Sequence, residues 1–178
     1  LKGCNTTAVG QFSPFQALKY ASQMIKQCRQ SLFVIGGSDE ISMFDEKMIK
    51  EFPYKGQTLS EGAASLVVES DTHAKARGAS IYAQVDGFSM TSAYYDPASI
   101  SESYSNCIQS TLWLSGLSEE RIHHHIPSVF GQPLPQTSLK IERSSSQTMI
   151  GTLESSTAIL NVIYGTQLLQ RGIDNILV

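Results

Sequence analysis

Short apolar runs alternate along this chain with longer stretches whose apolar residues recur at helical spacing. That alternation narrows the fold more than any other feature. Ser31–Ile35 (SLFVI) stops at Gly36-Gly37 and reads as a buried strand followed by a turn. Ala63–Glu69 (AASLVVE) is a second such strand. In Ser80–Val85, Ile81, Ala83 and Val85 alternate with Tyr82 and Gln84, the pattern of a strand with one less buried face. Ser13-Pro14 reads as an N-cap and N1 pair opening a helix over Pro14–Cys28, in which Phe15, Leu18, Ala21, Ile25 and Cys28 share a face. Ser101–Leu117 is expected to be a helix with Tyr104, Ile108, Leu112 and Leu114 placed to pack. Leu153–Gln170 is expected to be another, closed by Gly172, with a final strand in Ile173–Val178. Strands alternating with helices imply a layered α/β architecture.

The 178 residues suffice for one substantial core. Charged residues make up 16%, against an average near about 25%, so much of the surface is expected to be covered by something other than water. A net charge of −3 leaves no basic excess to neutralise phosphates, which argues against nucleic-acid binding. Apolar runs such as Leu32–Ile35 and Leu66–Val68 are too short to span a membrane, and no secretory segment opens the sequence. Cys4, Cys28 and Cys107 are odd in number and widely spaced, as expected of a reducing, cytoplasmic setting. The sequence begins with Leu1 rather than Met, as expected of a truncated or processed product or part of a longer protein.

Three blocks carry a resemblance to the β-ketoacyl synthases of the thiolase fold. The helix Pro14–Cys28 leading into LFVIGGSDE (Leu32–Glu40) resembles the family's nucleophile loop, helix and strand. LSEGAASLVVES (Leu59–Ser70) followed by HAKARGASIYAQVDGF (His73–Phe88) is the most specific match. SSSQTMIGTLESSTAILNVI (Ser144–Ile163) is similar to the segment that carries the family's second catalytic histidine, and GLSEERI (Gly116–Ile122) to the segment before the first. The resemblance implies a thiolase-like αβαβα layered α/β fold, incomplete in this chain. Residues 1–72 would be the end of the N-terminal half and residues 73–178 part of the C-terminal half. It covers about half of a full synthase of two ordinary-sized domains.

The family's chemistry needs a thiolate to hold the acyl group, favoured at a helix N-terminus, and two histidines to assist decarboxylation and condensation. Aligned on the family's spacing, Gln11 stands at the nucleophile position, Ser128 and Thr152 at the two histidines, and Gln147 at the motif lysine. None of these groups can be an acyl-accepting thiolate or an imidazole base. Loss of a nucleophile or base costs roughly 10⁴–10⁶ in rate in comparable deletions, so no catalytic residue is retained for condensation. Gln at the nucleophile position is the family's mark of the chain length factor. The resemblance therefore implies a noncatalytic subunit paired with an active ketosynthase, acting on chains carried by an acyl carrier protein in polyketide, aryl-polyene or fatty-acid-type synthesis, without cofactor or metal.

The alternative is an active condensing enzyme, a β-ketoacyl synthase with acyltransferase chemistry, or a malonyl decarboxylase in which Gln11 marks the site. Cys4 would serve as nucleophile only through an insertion, since it lies seven residues further from Gly36 than Gln11 does; a plain thiol is expected there. His123–His125 are consecutive and cannot converge on one ion from a strand, so they are expected to be structural. Glu61 is expected to be structural too, in a turn feeding the second strand.

Overall fold

Pro14 opens the first helix of the computed structural model, which describes residues 3–8, 10, 12–45, 47, 58–94, 96–127, 141–144, 146, 150, 151, 153 and 155–178. Helix α1 spans Ser13–Lys26. Ser13 is its first helical residue rather than its cap: the preceding Phe12 offers no side-chain cap, and the Ser13 hydroxyl donates to the Gly10 carbonyl at 2.6 Å. Pro14 fits the first turn because the N–H it lacks would have no partner there. Pro14, Leu18 and Ala21 form the buried stripe. Cys28 does not extend it; the chain leaves the helix after Lys26, and Cys28 is exposed with φ 56°.

Strands β1 (Leu32–Asp39) and β2 (Gly62–Glu69) pair antiparallel over eight residues, from Leu32 opposite Glu69 to Asp39 opposite Gly62. β1 runs straight through Gly36-Gly37, so the expected turn is absent. These glycines serve close approach instead: a Cβ on Gly37 would sit 3.1 Å from the Ser155 carbonyl oxygen. Nor are the strands buried on both faces. Phe33, Ile35, Ala64, Leu66 and Val68 point to the core, whereas Val34 and Val67, paired in register, are exposed. Glu61 does anchor the entry to β2, accepting a hydrogen bond from the Ile41 N–H at 2.9 Å.

A short helix α2 (Asp71–Ala76) follows, capped by the Ser70 hydroxyl. Glu69 closes its far end by accepting from Arg77 at 2.5 Å while also meeting His73 at 2.6 Å, and these bonds hold its carboxyl at about 2. The expected strand Ser80–Val85 is not formed. Alternation alone makes no ladder, no described strand lies beside it, and both of its faces are exposed. The chain then packs at Phe88, whose ring stands 6.3 Å from that of Phe15.

Helix α3 (Pro97–Ser115) starts earlier than its apolar spacing suggested, because the Asp96 side chain accepts from the Ser99 N–H at 2.9 Å and fixes the first turn. Gly116, at φ 71°, ends it. Tyr104, Ile108 and Leu112 pack as expected, but Leu114 is exposed, since it lies off the i, i+4, i+8 row that faces the sheet.

After a 3₁₀ turn at Glu119–Arg121 comes a parallel sheet, with β3 (His124–His125) in the centre between β4 (Glu142–Arg143) and β5 (Ile176–Leu177). Helix α4 (Ser156–Gln170) begins after Leu153, which precedes it as a buried anchor. It ends in a Schellman turn at Gly172 (φ 90°), with the Ile173 N–H reaching the Leu168 carbonyl at 3.2 Å.

Helix α4 organises the molecule. Ile159 and Ile163 join Leu18, Ala21 and Ile35 against the β1–β2 sheet. On another side, Gly165 lets Ile126, Ile176 and Val178 approach closely; a Cβ there would lie 3.3 Å from Ile126 Cδ1. Helix α3 covers the opposite face of the parallel sheet through Ile108, Leu112, Ile122 and Leu177. The layers therefore run α3, parallel sheet, α4 with α1 beside it, and β1–β2 sheet.

Candidate functional site

All four family positions identified from the sequence, Gln11, Ser128, Gln147 and Thr152, lie outside the described residues, while the segments that lead to them are described. Gly10 and Phe12 flank the first, at the mouth of α1. There the Thr7 hydroxyl donates to the Ser13 carbonyl at 2.9 Å and the Ser13 N–H to the Gly10 carbonyl at 3.0 Å, which folds the approach loop over the helix entrance. The first turn of α1 contains no acidic residue. Its positive dipole end thus has no local carboxylate.

The entrance of α4 contrasts with it. Asp39, the last residue of β1, accepts the Ser155 N–H at 2.8 Å, the Ser155 hydroxyl at 2.7 Å and the Ser156 N–H at 2.8 Å. Burial pulls its carboxyl upward, but the hydrogen bonds from Ser155 and Ser156 outweigh this and leave it below its ordinary value. Ahead of α4, Leu153 donates its N–H to the Thr157 hydroxyl at 3.0 Å, and Gly151 takes φ 79°. The Ser60 hydroxyl donates to the Ile150 carbonyl, pinning this loop to the segment that leads into β2.

The first turns of both helices line one small apolar crevice, formed by Pro14, Phe15 and Leu18 of α1, Ala158 and Ile159 of α4, and Ile35 of β1, among others. On the far side of α4, Asn161 is fully buried and its Oδ1 accepts the Ser146 N–H at 3.0 Å and the Ser146 hydroxyl at 2.6 Å. These two bonds fix Ser146.

The histidine run is split by the strand. His124 and His125 are both buried on β3, whereas His123 is exposed, its Nδ1 at 2.7 Å from the Asp174 carbonyl. His125 faces α3, its Nε2 at 3.0 Å from the Tyr104 hydroxyl. Burial, with the Arg143 and His124 charges adding to it, pushes the His125 imidazole down to about 4. His124 faces α4, its Nε2 at 2.6 Å from Ser144 Oγ, which in turn lies 3.1 Å from the Tyr164 hydroxyl. Among the described residues no group of three or more His, Cys, Asp or Glu side chains could hold a metal ion. Cys4 is exposed in the loop ahead of α1, remote in sequence from its first turn. No described helix is long and apolar enough to cross a membrane.

A helical layer shared by an antiparallel sheet and a parallel sheet defines a thiolase-like α/β protein, present here in part. Solved structures agree on that fold. A β-ketoacyl synthase from Burkholderia phymatum superimposes with a TM-score of 0.78 at 23% identity, covering 93% of this chain and 48% of that one. A type II polyketide acyl carrier protein in complex with its ketosynthase bound to the hexaketide gives 0.76 at 17% identity, covering 93% and 50%.

The chain is ketosynthase-like in sequence as well. It is 30% identical over 124 residues to 3-oxoacyl-[acyl-carrier-protein] synthase 2 of Coxiella burnetii, covering 61% of this chain and 30% of that protein. It is 51% identical over 47 residues to the synthase of the same name from Vibrio cholerae, covering 26% and 11%. No protein-family model matches the chain. The chain thus spans less than a third of these curated relatives and about half of the solved structures.

Proposed function

We propose that this chain is a noncatalytic ketosynthase-like subunit, a chain length factor that pairs with an active β-ketoacyl synthase. The system would be of the type II polyketide, aryl-polyene or fatty-acid type. The observation that carries the reading is Gln11, two residues ahead of the first residue of α1, where the family's alignment requires a thiolate. An amide there forms no acyl-enzyme. With Ser128 and Thr152 in place of the histidines and Gln147 in place of the lysine, no base remains for condensation. In this reading residues 1–72 and 73–178 belong to the N-terminal and C-terminal halves of the synthase fold. The placement of β1–β2 before that boundary and of β3–β5 after it supports the division.

The partner would keep its cysteine and two histidines and hold the growing chain, delivered by an acyl carrier protein. The crevice between α1 and α4 supports a share in the tunnel wall, since its lining is wholly apolar side chains.

Coexpression with such a ketosynthase, followed by size exclusion and intact-mass analysis after loading with acyl carrier protein thioesters, tests the reading. The expected result is one complex with acyl groups on the partner alone. An acyl adduct on this chain that disappears in Cys4→Ala would establish the competing reading, an active condensing enzyme, which the names of the curated relatives favour.

A further inference from the structure

The parallel register sets His124 opposite Glu142 on the neighbouring strand, and the Ser144 N–H donates to the His125 carbonyl at 3.3 Å, extending the ladder one residue. Side chains two apart on a strand share a face. Glu142 and Ser144 therefore lie on the same face as His124, one toward each ring nitrogen. Ser144 Oγ is 2.6 Å from Nε2, and Glu142 Oε2 is 4.0 Å from Nδ1. The Nδ1 atom is buried and has no hydrogen-bond partner among the described residues, and Glu142 is the described carboxylate that faces it. His125 gives the contrast. It has a tyrosine hydroxyl on its Nε2, and among the described residues no carboxylate is paired with its Nδ1.

We propose that Ser144, His124 and Glu142 form a nucleophile–base–carboxylate relay that accepts acyl groups from activated esters or thioesters. With the proton on Nδ1 toward Glu142, Nε2 is free to accept from the Ser144 hydroxyl. Ser144 Oγ attacks the acyl carbonyl as its proton passes to His124 Nε2. The carbon–leaving-group bond breaks, and the imidazolium returns the proton to the departing alkoxide or thiolate. Water then reverses the sequence, releasing the carboxylic acid and restoring the serine. At rest the Ser144 hydroxyl donates to the Tyr164 hydroxyl at 3.1 Å, and in the relay it rotates so that its one proton points to His124 Nε2. Among the described strands β4 is an outer strand, Ser144 is half-buried and Glu142 is exposed, so the relay lies at the edge of the described sheet. It shares no residue with the condensation positions above and does not depend on that reading.

A fluorophosphonate probe on the full chain, followed by peptide mapping, is the test, with p-nitrophenyl butyrate hydrolysis as the second readout. The expected result is an adduct on Ser144, lost in Ser144→Ala. Labelling should slow at least about a hundredfold in His124→Gln and at least about tenfold in Glu142→Gln. Glu142 is exposed, so its variant keeps the fold if the buried His124 variant does not. A folded chain with no Ser144 adduct, or one labelled at the same rate in Glu142→Gln, overturns the proposal. Fluorophosphonates report on serine, so an acyl group found on Cys4 would count against the function proposed above and not against this relay.

Discussion

Asp39 and Ser155 stand 116 residues apart in sequence, yet one carboxylate oxygen of Asp39 accepts both the backbone N–H and the hydroxyl of Ser155. The end of β1 therefore caps the helix that separates the two sheets. Asp39→Ala is expected to cost about 1–2 kcal/mol by removing this cap, read as a lowered denaturant midpoint with unchanged slope. Because the folded carboxyl sits below its ordinary value, its contribution is full near neutral pH and fades only as pH falls below about 4. Asp39→Asn should flatten the most acidic part of the stability profile and leave its shape near neutrality intact.

Gly36 and Gly37 should respond differently to the same substitution. A Cβ on Gly37 meets Ser155 backbone at 3.1–3.2 Å, where α4 cannot yield without dragging the Asp39 cap. A Cβ on Gly36 points away from the core and meets the Ala64 carbonyl at 3.3 Å. Gly37→Ala is expected to destabilise by about 1–3 kcal/mol and Gly36→Ala by clearly less. Equal losses in urea titrations would mean that β1 does not lie against Ser155.

His125 predicts an acid transition of its own. Its folded value, about 4, lies below the ordinary imidazole value, so the native state favours the neutral ring. Its contribution is complete above roughly pH 6.5 and is lost as pH falls from there toward 4, by up to about 3 kcal/mol. Melting temperatures measured from pH 7 to pH 4 should fall over that window. His125→Gln should lower the value at pH 7 and flatten the slope; an unchanged slope would place the titrating group elsewhere.

What was legible in the sequence follows local physics. Leu18 and Ala21 of α1, Tyr104, Ile108 and Leu112 of α3, and Gly172 at the end of α4 follow from spacing and backbone sterics and stand where expected, whereas the helix expected to run to Leu117 stops at Gly116. Gly36-Gly37 misled because a glycine pair signals a turn locally, whereas here it serves contact with a residue far along the chain. Ser80–Val85 misled because alternation specifies two faces but not the strand that must lie alongside. The Ser144–His124–Glu142 arrangement carried no sequence signal: it is made by parallel register between segments some twenty residues apart, and no spacing motif encodes that. The family positions Gln11, Ser128, Gln147 and Thr152 were found by resemblance, and they lie outside the described residues.

The outward face of the β1–β2 sheet carries the last prediction. Val34 and Val67 are cross-strand partners, exposed at 65% and 58% of their surfaces, with the Leu32–Glu69 pair on one side of them on that face and the small residues Gly36, Ser38, Ala63 and Ser65 on the other. A two-stranded sheet of this kind is marginal alone in water, and its core face here is covered by α1, α4 and Phe88. Covering the valines should gain about 25 cal/mol per Å² of apolar surface removed from water, so the isolated chain is expected to associate as its concentration rises. Val34→Lys with Val67→Lys should suppress that association, because paired lysines on a sheet face repel a second apolar surface while leaving the core face untouched. Sedimentation velocity over a range of concentrations reads this directly. The same double variant should weaken the coexpressed ketosynthase complex if the partner covers this face, and leave it intact if the partner docks elsewhere. A wild-type chain that stays monomeric and monodisperse at high concentration would show that this face needs no cover.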